Sequence, residues 1–275
     1  LDQSLLIIIA PAKSKKTFLC MNFAKAIASG NGFAGFDVNE KNRVLYLCAE
    51  GGYYPNRDRI KVMSKDMKDD DLKTILFPKY INMVIDNNDD FEDLKKIIDE
   101  HKPKVVIMDP FIRFHNVDEN SSTCMSGIFK RLRELIEIHN ISIILVHHSG
   151  KDPTKGGRGS SVITGEYDSA IIMKNKANST KISFDMRHVD TPDPRFINLN
   201  QDTLTFECSE DNSNVVVEYL DEHGEMSKAD LVKVLVQSGA CSQSHSYRLI
   251  DQAISSKILI ESDDGYLKIS QYEKS

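Results

Sequence analysis

Apolar residues fall along this chain in two rhythms. Short unbroken runs at Leu5–Ala10, Val44–Cys48, Val105–Met108 and Ile141–Val146 have the length of strands buried on both faces. Between them lie stretches with helical periodicity. In Thr17–Ser29, Phe18, Leu19, Phe23, Ala26 and Ile27 share one stripe, and Gly30 is a natural stop. In Ser122–His139, Met125, Ile128, Phe129, Leu132, Leu135 and Ile136 share a face and charges fill the other. Shorter helices are expected over Asn56–Met67 and Phe91–Glu100. Strands alternating with helices up to residue 148 predict an α/β fold with a mostly parallel sheet and helices on both faces.

The rhythm then changes. Ser149–Ser161 is polar and glycine-rich and reads as a loop. Tyr167–Met173 and Thr180–Met186 alternate around the turn Lys174–Ser179, the pattern of an antiparallel hairpin, and Leu204–Cys208 extends the same edge. The polar stretch Glu210–Asn214 marks a boundary, giving a first domain at 1–209 and a second at 214–275. In the second, Ser227-Lys228-Ala229-Asp230 resembles a capping box opening a helix through Val236, with Gly239 ending it. A helix over Ser244–Ser255 follows, and Ile258–Ile260 and Tyr266–Ile269 flank the turn Asp263-Asp264-Gly265. Helix, turn, helix and hairpin is the order of a winged helix.

Composition narrows the setting. The 275 residues suffice for one sizeable core plus a small appended domain. A net charge of −6 excludes a broadly basic nucleic-acid-coating surface, so contact with DNA or RNA has to be local. Five scattered cysteines (Cys20, Cys48, Cys124, Cys208, Cys241) without a CxxC pattern point to a reducing, cytoplasmic compartment. No apolar run reaches membrane-spanning length. The chain starts at Leu1 without a methionine, which suggests residues upstream.

The candidate chemistry starts where the first strand meets the first helix. Ala10-Pro11-Ala12-Lys13-Ser14-Lys15-Lys16-Thr17 follows the phosphate-loop pattern G-x-x-x-x-G-K-[ST], except that Ala10 and Lys15 stand at the glycine positions. Backbone amides of such a loop wrap phosphates, and the helix N-terminus adds a favourable dipole. Alone, the segment reads equally as a lysine-rich turn. Two acids change that balance. Asp109 and Glu50 each follow a buried strand, where an α/β sheet binds ligands and where Mg²⁺ organisation and water activation need carboxylates. His147-His148 closes a further strand on that edge, and local spacing argues against a metal site. Lys151, Lys155 and Arg158 in the glycine-rich loop read either as a solvated surface or as contacts to nucleic-acid phosphates.

The segments "APAKSKKTFLCMNFAKAIASG", "VLYLCAEGG", "VVIMDPFIRFHNVDEN", "IILVHHSGK", "RGSSVITGEYDSAIIM" and "DMRHVDTPDPRFINL" resemble, in order and over residues 5–200, the RepA-type branch of RecA-like ATPases, the ring-forming replicative helicases. The resemblance implies ATP and Mg²⁺ as cofactors. The loop residues Ala12, Lys13, Ser14, Lys15, Lys16, Thr17 and Phe18 would hold nucleotide, and Thr17 and Asp109 would hold the metal. It further implies Glu50 as catalytic base, His148 (or else His147) as γ-phosphate sensor and Arg187 as an arginine finger acting on a neighbouring subunit. A homo-oligomeric ring, a hexamer, and single-stranded DNA as partner follow from the same resemblance. Family members usually keep glycine before the loop lysine, so Lys15 is a departure that bears on turnover. The second domain offers Arg248 and Lys257 but also Asp251, so DNA and a protein partner both remain open for it. The competing functions are thus an ATP-driven motor that moves single-stranded DNA and a slowly hydrolysing nucleotide-binding regulator; a small-molecule kinase ranks below both.

Overall fold

The structure, a computed structural model, describes residues 2–148, 161–175, 179–208, 213–238, 243–262 and 264–270. By internal contacts the chain divides into Leu1–Thr191 with Ile197–Cys208, and Pro192–Phe196 with Ser209–Ser275.

The first unit begins β1 (Leu5–Ala10), α1 (Lys16–Ser29), β2 (Val44–Cys48), α2 (Tyr53–Met63), α3 (Asp69–Leu72), β3 (Ile75–Leu76) and α4 (Asn88–His101). It continues with β4 (Val105–Asp109), a 3-10 turn (Phe111–Phe114), α5 (Ser122–His139), β5 (Ser142–His148) and α6 (Ser161–Glu166). β6 (Ser169–Asn175), β7 (Thr180–Met186), β8 (Arg195–Leu199) and β9 (Phe206–Cys208) follow. The sheet order is β3-β2-β4-β5-β1-β6-β7-β8-β9. The strands from β3 to β6 are parallel, and β6–β7 and β8–β9 pair antiparallel.

Alternation along β1 explains why the sheet is covered on both sides. Leu5, Ile7 and Ile9 join a core built with Phe91, Leu94 and Ile98 of α4 and Met125, Phe129 and Leu132 of α5. Leu6, Ile8 and Ala10 point into a second core with Leu19, Cys20 and Met21 of α1 and Ile60 and Met63 of α2. Successive side chains of a strand face opposite ways, so an all-apolar run requires helices on both faces.

Several elements depart from the sequence expectation. α2 starts at Tyr53 rather than Asn56, because Pro55 lies in the first helical turn, where a missing amide hydrogen is tolerated. It ends at Met63, where Ser64 caps it. α4 is longer than expected at both ends; the Asn87 side chain accepts from the Asp90 amide and sets its start. β9 begins at Phe206 and not Leu204, whose φ of 56° places it in a turn. β3 and α6 carry too few residues to announce themselves, and β8 is obscured by Pro192 and Pro194 just before it.

The second unit contains α7 (Ser213–His223), β10 (Met226–Ser227), α8 (Lys228–Gln237), α9 (Gln243–Ser255), β11 (Leu259–Glu261) and β12 (Tyr266–Ile269). Its sheet order is β10-β12-β11, all antiparallel. Val216, Leu220, Leu231, Leu235, Leu249, Ile250 and Leu267 form its core. The sequence pattern does not announce α7 or β10. Ser227 caps α8: its Oγ accepts from the Asp230 amide at 3.2 Å and donates to Asp230 Oδ2 at 2.7 Å. Gly239, expected to stop that helix, lies outside the described residues.

Candidate functional site

β1 delivers the chain into the loop at Ala10, and α1 takes over at Lys16. Between them Lys13 (φ 62°) and Lys15 (φ 64°, ψ 23°) adopt the left-handed conformation, which a Cβ disfavours. Lys15 thus occupies a backbone state suited to the glycine of the usual pattern. Ala12, Lys13 and Lys15 are exposed, Ser14 is buried, and Thr17 and Phe18 are half-buried. Ser14 Oγ donates to the Pro11 carbonyl at 2.7 Å, closing the loop on itself.

Lys16 is 6% exposed, and its ammonium donates to the carbonyls of Ala10 (3.1 Å) and Pro11 (2.6 Å). Burial lowers its pKa, while Asp109 foremost, with Cys20 and Glu50, pulls it back up. Asp109, the last residue of β4, is 4% exposed. Its carboxylate accepts from the Tyr46 phenol at 2.9 Å and from the Thr17 hydroxyl. Burial raises the Asp109 pKa; these two hydrogen bonds and the Lys16 charge oppose the rise, and Glu50 adds to it. The loop lysine, the following threonine and this acid are therefore brought together.

Sequence reasoning missed Tyr46. It is fully buried in β2, its hydroxyl also reaching the Thr17 carbonyl at 3.4 Å, and burial pushes its pKa well up. A tyrosine amid aliphatic strand residues was the available signal, since a buried phenol needs a partner.

Glu50 stands just past β2. The Ala49 amide donates to the Asp109 carbonyl at 2.8 Å, which carries the β2–β4 ladder one residue further and sets Glu50 beside that strand end. Its side chain is 48% exposed and meets Arg113 Nε at 3.4 Å. The turn that follows needs Gly51 (φ 77°) and Gly52 (φ 76°). Asn56, also missed, is 1% exposed and donates to the Glu50 carbonyl at 2.7 Å, while its Oδ1 accepts from Arg59 at 2.8 Å. Arg59 in turn lies over the Phe18 ring, 5.1 Å from its centroid. Side-chain contacts thus run from α1 to the backbone of Glu50. Burial, with Asp109 adding to it, pushes the nearby Cys48 thiol up to about 12.

The paired histidines belong to β5 itself. Ile9 faces His147 and Ala10 faces His148 across the β1–β5 pairing, so His148 flanks the entry to the loop. His147 is buried, with Nδ1 3.6 Å from Glu119 Oε1; His115 approaches the same oxygen at 3.8 Å. Burial lowers the His115 pKa.

Arg187 is not brought to the loop of its own chain. Met186 faces Ser169 across the β6–β7 pairing, and Ser169 faces Leu6 across β1–β6, so Arg187 sits at the rim where β1 begins. Its amide donates to the Asp168 carbonyl at 3.0 Å, and its guanidinium donates to the Gly165 carbonyl. Lys151, Lys155 and Arg158 lie outside the described residues. No described helix is long and apolar enough to cross a membrane. Among the described residues no cluster of three His, Cys, Asp or Glu side chains could hold a metal ion.

A family model described as AAA domain matches residues 1–154, more than half of the chain. Among solved structures, the chain is similar to one described as an ATPase domain, with a TM-score of 0.60 and 12% identity over 76% of this chain and 86% of that one. It is also similar to the RadB recombinase, with a TM-score of 0.55 and 16% identity over 76% of this chain and 92% of that one. At such identities the likeness is one of fold, and it agrees with the mostly parallel sheet continued by antiparallel strands. A strand–loop–helix with its lysine and threonine gathered at a buried aspartate therefore comes with its relatives: the chain belongs to the AAA domain family and has the RecA-like fold of a P-loop ATPase.

Proposed function

We propose that this chain is the ATP-hydrolysing motor domain of a RepA-type DNA helicase acting in replication. The observation that carries this reading is the convergence of Lys16, Thr17 and Asp109, with Glu50 beside them, at the carboxyl ends of β1, β2 and β4. Lys16 would exchange its bonds to the Ala10 and Pro11 carbonyls for phosphate oxygens, and the amides along Ala12–Phe18 would line the rest of the anion site. The Thr17 hydroxyl and Asp109 carboxylate are hard oxygen donors already bonded to each other, a set that fits Mg²⁺. When bound, the metal neutralises charge on the terminal phosphates.

The Asn56 bond to its carbonyl holds the backbone at Glu50, whose carboxylate would orient and deprotonate the attacking water. His148, level with Ala10, would sense the terminal phosphate and pass its loss to residues 149–161, where Lys151, Lys155 and Arg158 would meet single-stranded DNA. Arg187, held at the far rim of its own sheet, would serve the site of a neighbouring copy, which calls for a homo-oligomeric ring, a hexamer. The second domain, expected at 214–275, is read as a winged helix on its helix–helix–hairpin order and its β10-β12-β11 sheet. Asp251 on α9 is engaged by Lys228, which leaves a thin basic face there and favours a protein partner over DNA.

A second reading has support of its own. Lys15 in a glycine conformation and the Glu50–Arg113 pair both favour a nucleotide-binding regulator of slow turnover, with the tail as its binding arm. ATPase assays with and without single-stranded DNA separate the two. Stimulation that vanishes in Lys16→Ala and Asp109→Ala supports the motor; nucleotide binding without stimulation supports the regulator.

A further inference from the structure

We propose that the surface formed by Tyr54 and Arg57 of α2 with Lys79 and Tyr80 is a stacking platform for single-stranded nucleic acid. Tyr54 is 54% and Tyr80 83% exposed, large apolar rings facing water. The Lys79 ammonium lies 5.4 Å from the centroid of each, so the two rings stand within twice that distance of one another with one positive charge between them. The Arg57 guanidinium covers the Tyr54 ring at 5.1 Å. Among the described residues Lys79 has no carboxylate within ion-pair distance, whereas Arg57 is paired with Asp58 at 2.6 Å.

Local charge agrees. Residues 53–80, which span the platform, carry seven Lys or Arg against five Asp, in a chain whose net charge is −6. The platform also has a firm base. The Tyr54 ring meets Tyr53 at 5.3 Å, Tyr53 stacks on Phe77 at 5.7 Å, and Phe77 meets the buried Tyr46 at 5.6 Å. The Tyr54 ring, held in this way, loses little freedom when a base stacks on it.

Aromatic faces interleaved with cations are what a single strand requires: each base offers a π-face and each nucleotide a phosphate. The four side chains include no aliphatic residue, which disfavours a protein interface built on apolar burial. The inference extends the motor reading, because a strand here would lie at the end of the sheet where Glu50 and α2 meet.

The test measures binding of a fluorescein-labelled oligodeoxythymidine to the full chain by anisotropy at fixed low salt. Tyr54→Ala and Tyr80→Ala should each weaken binding roughly 5- to 150-fold, and Tyr54→Phe and Tyr80→Phe should bind as the parent does. Lys79→Gln should lower the slope of log affinity against log salt by about 0.7. Parental affinity in both alanine variants, or no binding by the parent, overturns the platform. So does a shift to smaller species in sedimentation with affinity unchanged, which would make the patch a contact between copies. Calorimetry with ATP on the same samples keeps the two readings apart: loss of oligonucleotide binding in the alanine variants without any ATP binding by the parent would sink the motor and leave the platform standing.

Discussion

Replacing Lys15 with glycine tests the loop most directly. Lys15 holds φ 64° and ψ 23° at the cap of α1, with no side-chain hydrogen bond capping the helix there. A Cβ in that conformation costs about 1–2 kcal/mol. Glycine removes the cost but gives the unfolded chain more freedom, worth about 0.4–1 kcal/mol in the other direction. The net lies between zero and about 1.6 kcal/mol of stabilisation, roughly 0.8 kcal/mol at mid-range. In a unit of this size that raises the melting temperature by roughly 1–4 °C. Differential scanning calorimetry of Lys15→Gly without nucleotide reads this directly, and Lys15→Ala is the control, since it removes the charge and keeps the Cβ. A rise in Lys15→Gly alone identifies backbone strain; an equal rise in both points to charge; no rise in either refutes the reasoning. If nucleotide affinity and turnover of Lys15→Gly also match the parent, the lysine is harmless to the site and the slow-turnover concern falls.

Three further outcomes follow from the buried groups. Burial raises the Asp109 pKa, so the folded state keeps this proton where the unfolded state has lost it, and the group's contribution falls as pH rises from the ordinary carboxylate pKa through the raised folded value. Asp109→Asn should flatten that part of a melting-temperature–pH profile, raise the nucleotide-free melting temperature at neutral pH and abolish stabilisation by Mg²⁺-nucleotide. His115 has the opposite sign: its folded pKa is lowered by burial, so stability drops as pH falls through about 6.5. Asp86, Glu119 and the Val117 backbone also bear on this ring, yet His115→Phe should remove the acid-side loss in urea titrations on either side of that pH. Asn56→Ala leaves the Glu50 carbonyl and Arg59 without their partner, which should cost about 1–3 kcal/mol by urea denaturation and lower kcat with little change in nucleotide affinity.

Strands β1, β2, β4 and β5 and helix α5 were legible because burial on two faces, or on one helical face, writes an unmistakable apolar pattern. Glu50 and Asp109 were legible for a related reason: an acid directly after such a run has to emerge at a strand end. Tyr46 and Asn56 were not, because their partners, Asp109 and the Glu50 carbonyl, are fixed by the pairing of β2 with β4 and by the turn into α2. β3 has two residues and β8 follows two prolines, too little pattern to separate a strand from a loop. The opening of α7 is hidden by the polar residues around Asn214, whose composition suits a boundary as well as a helix start.

The return of the chain through β6 and β7 has a consequence for how such molecules would have to work. Leu5 to Ala10 spans about 16 Å of extended backbone, and Arg187 is anchored at the Leu5 end. On the proposed finger role, a guanidinium tied there would have to serve the lysine loop of a neighbouring copy, and a lone copy would be chemically unfinished. Specific activity would then climb with protein concentration, and a blend of Lys16→Ala chains with Arg187→Ala chains would regain turnover wherever an intact loop meets an intact arginine across a shared boundary, although neither variant would hydrolyse nucleotide alone.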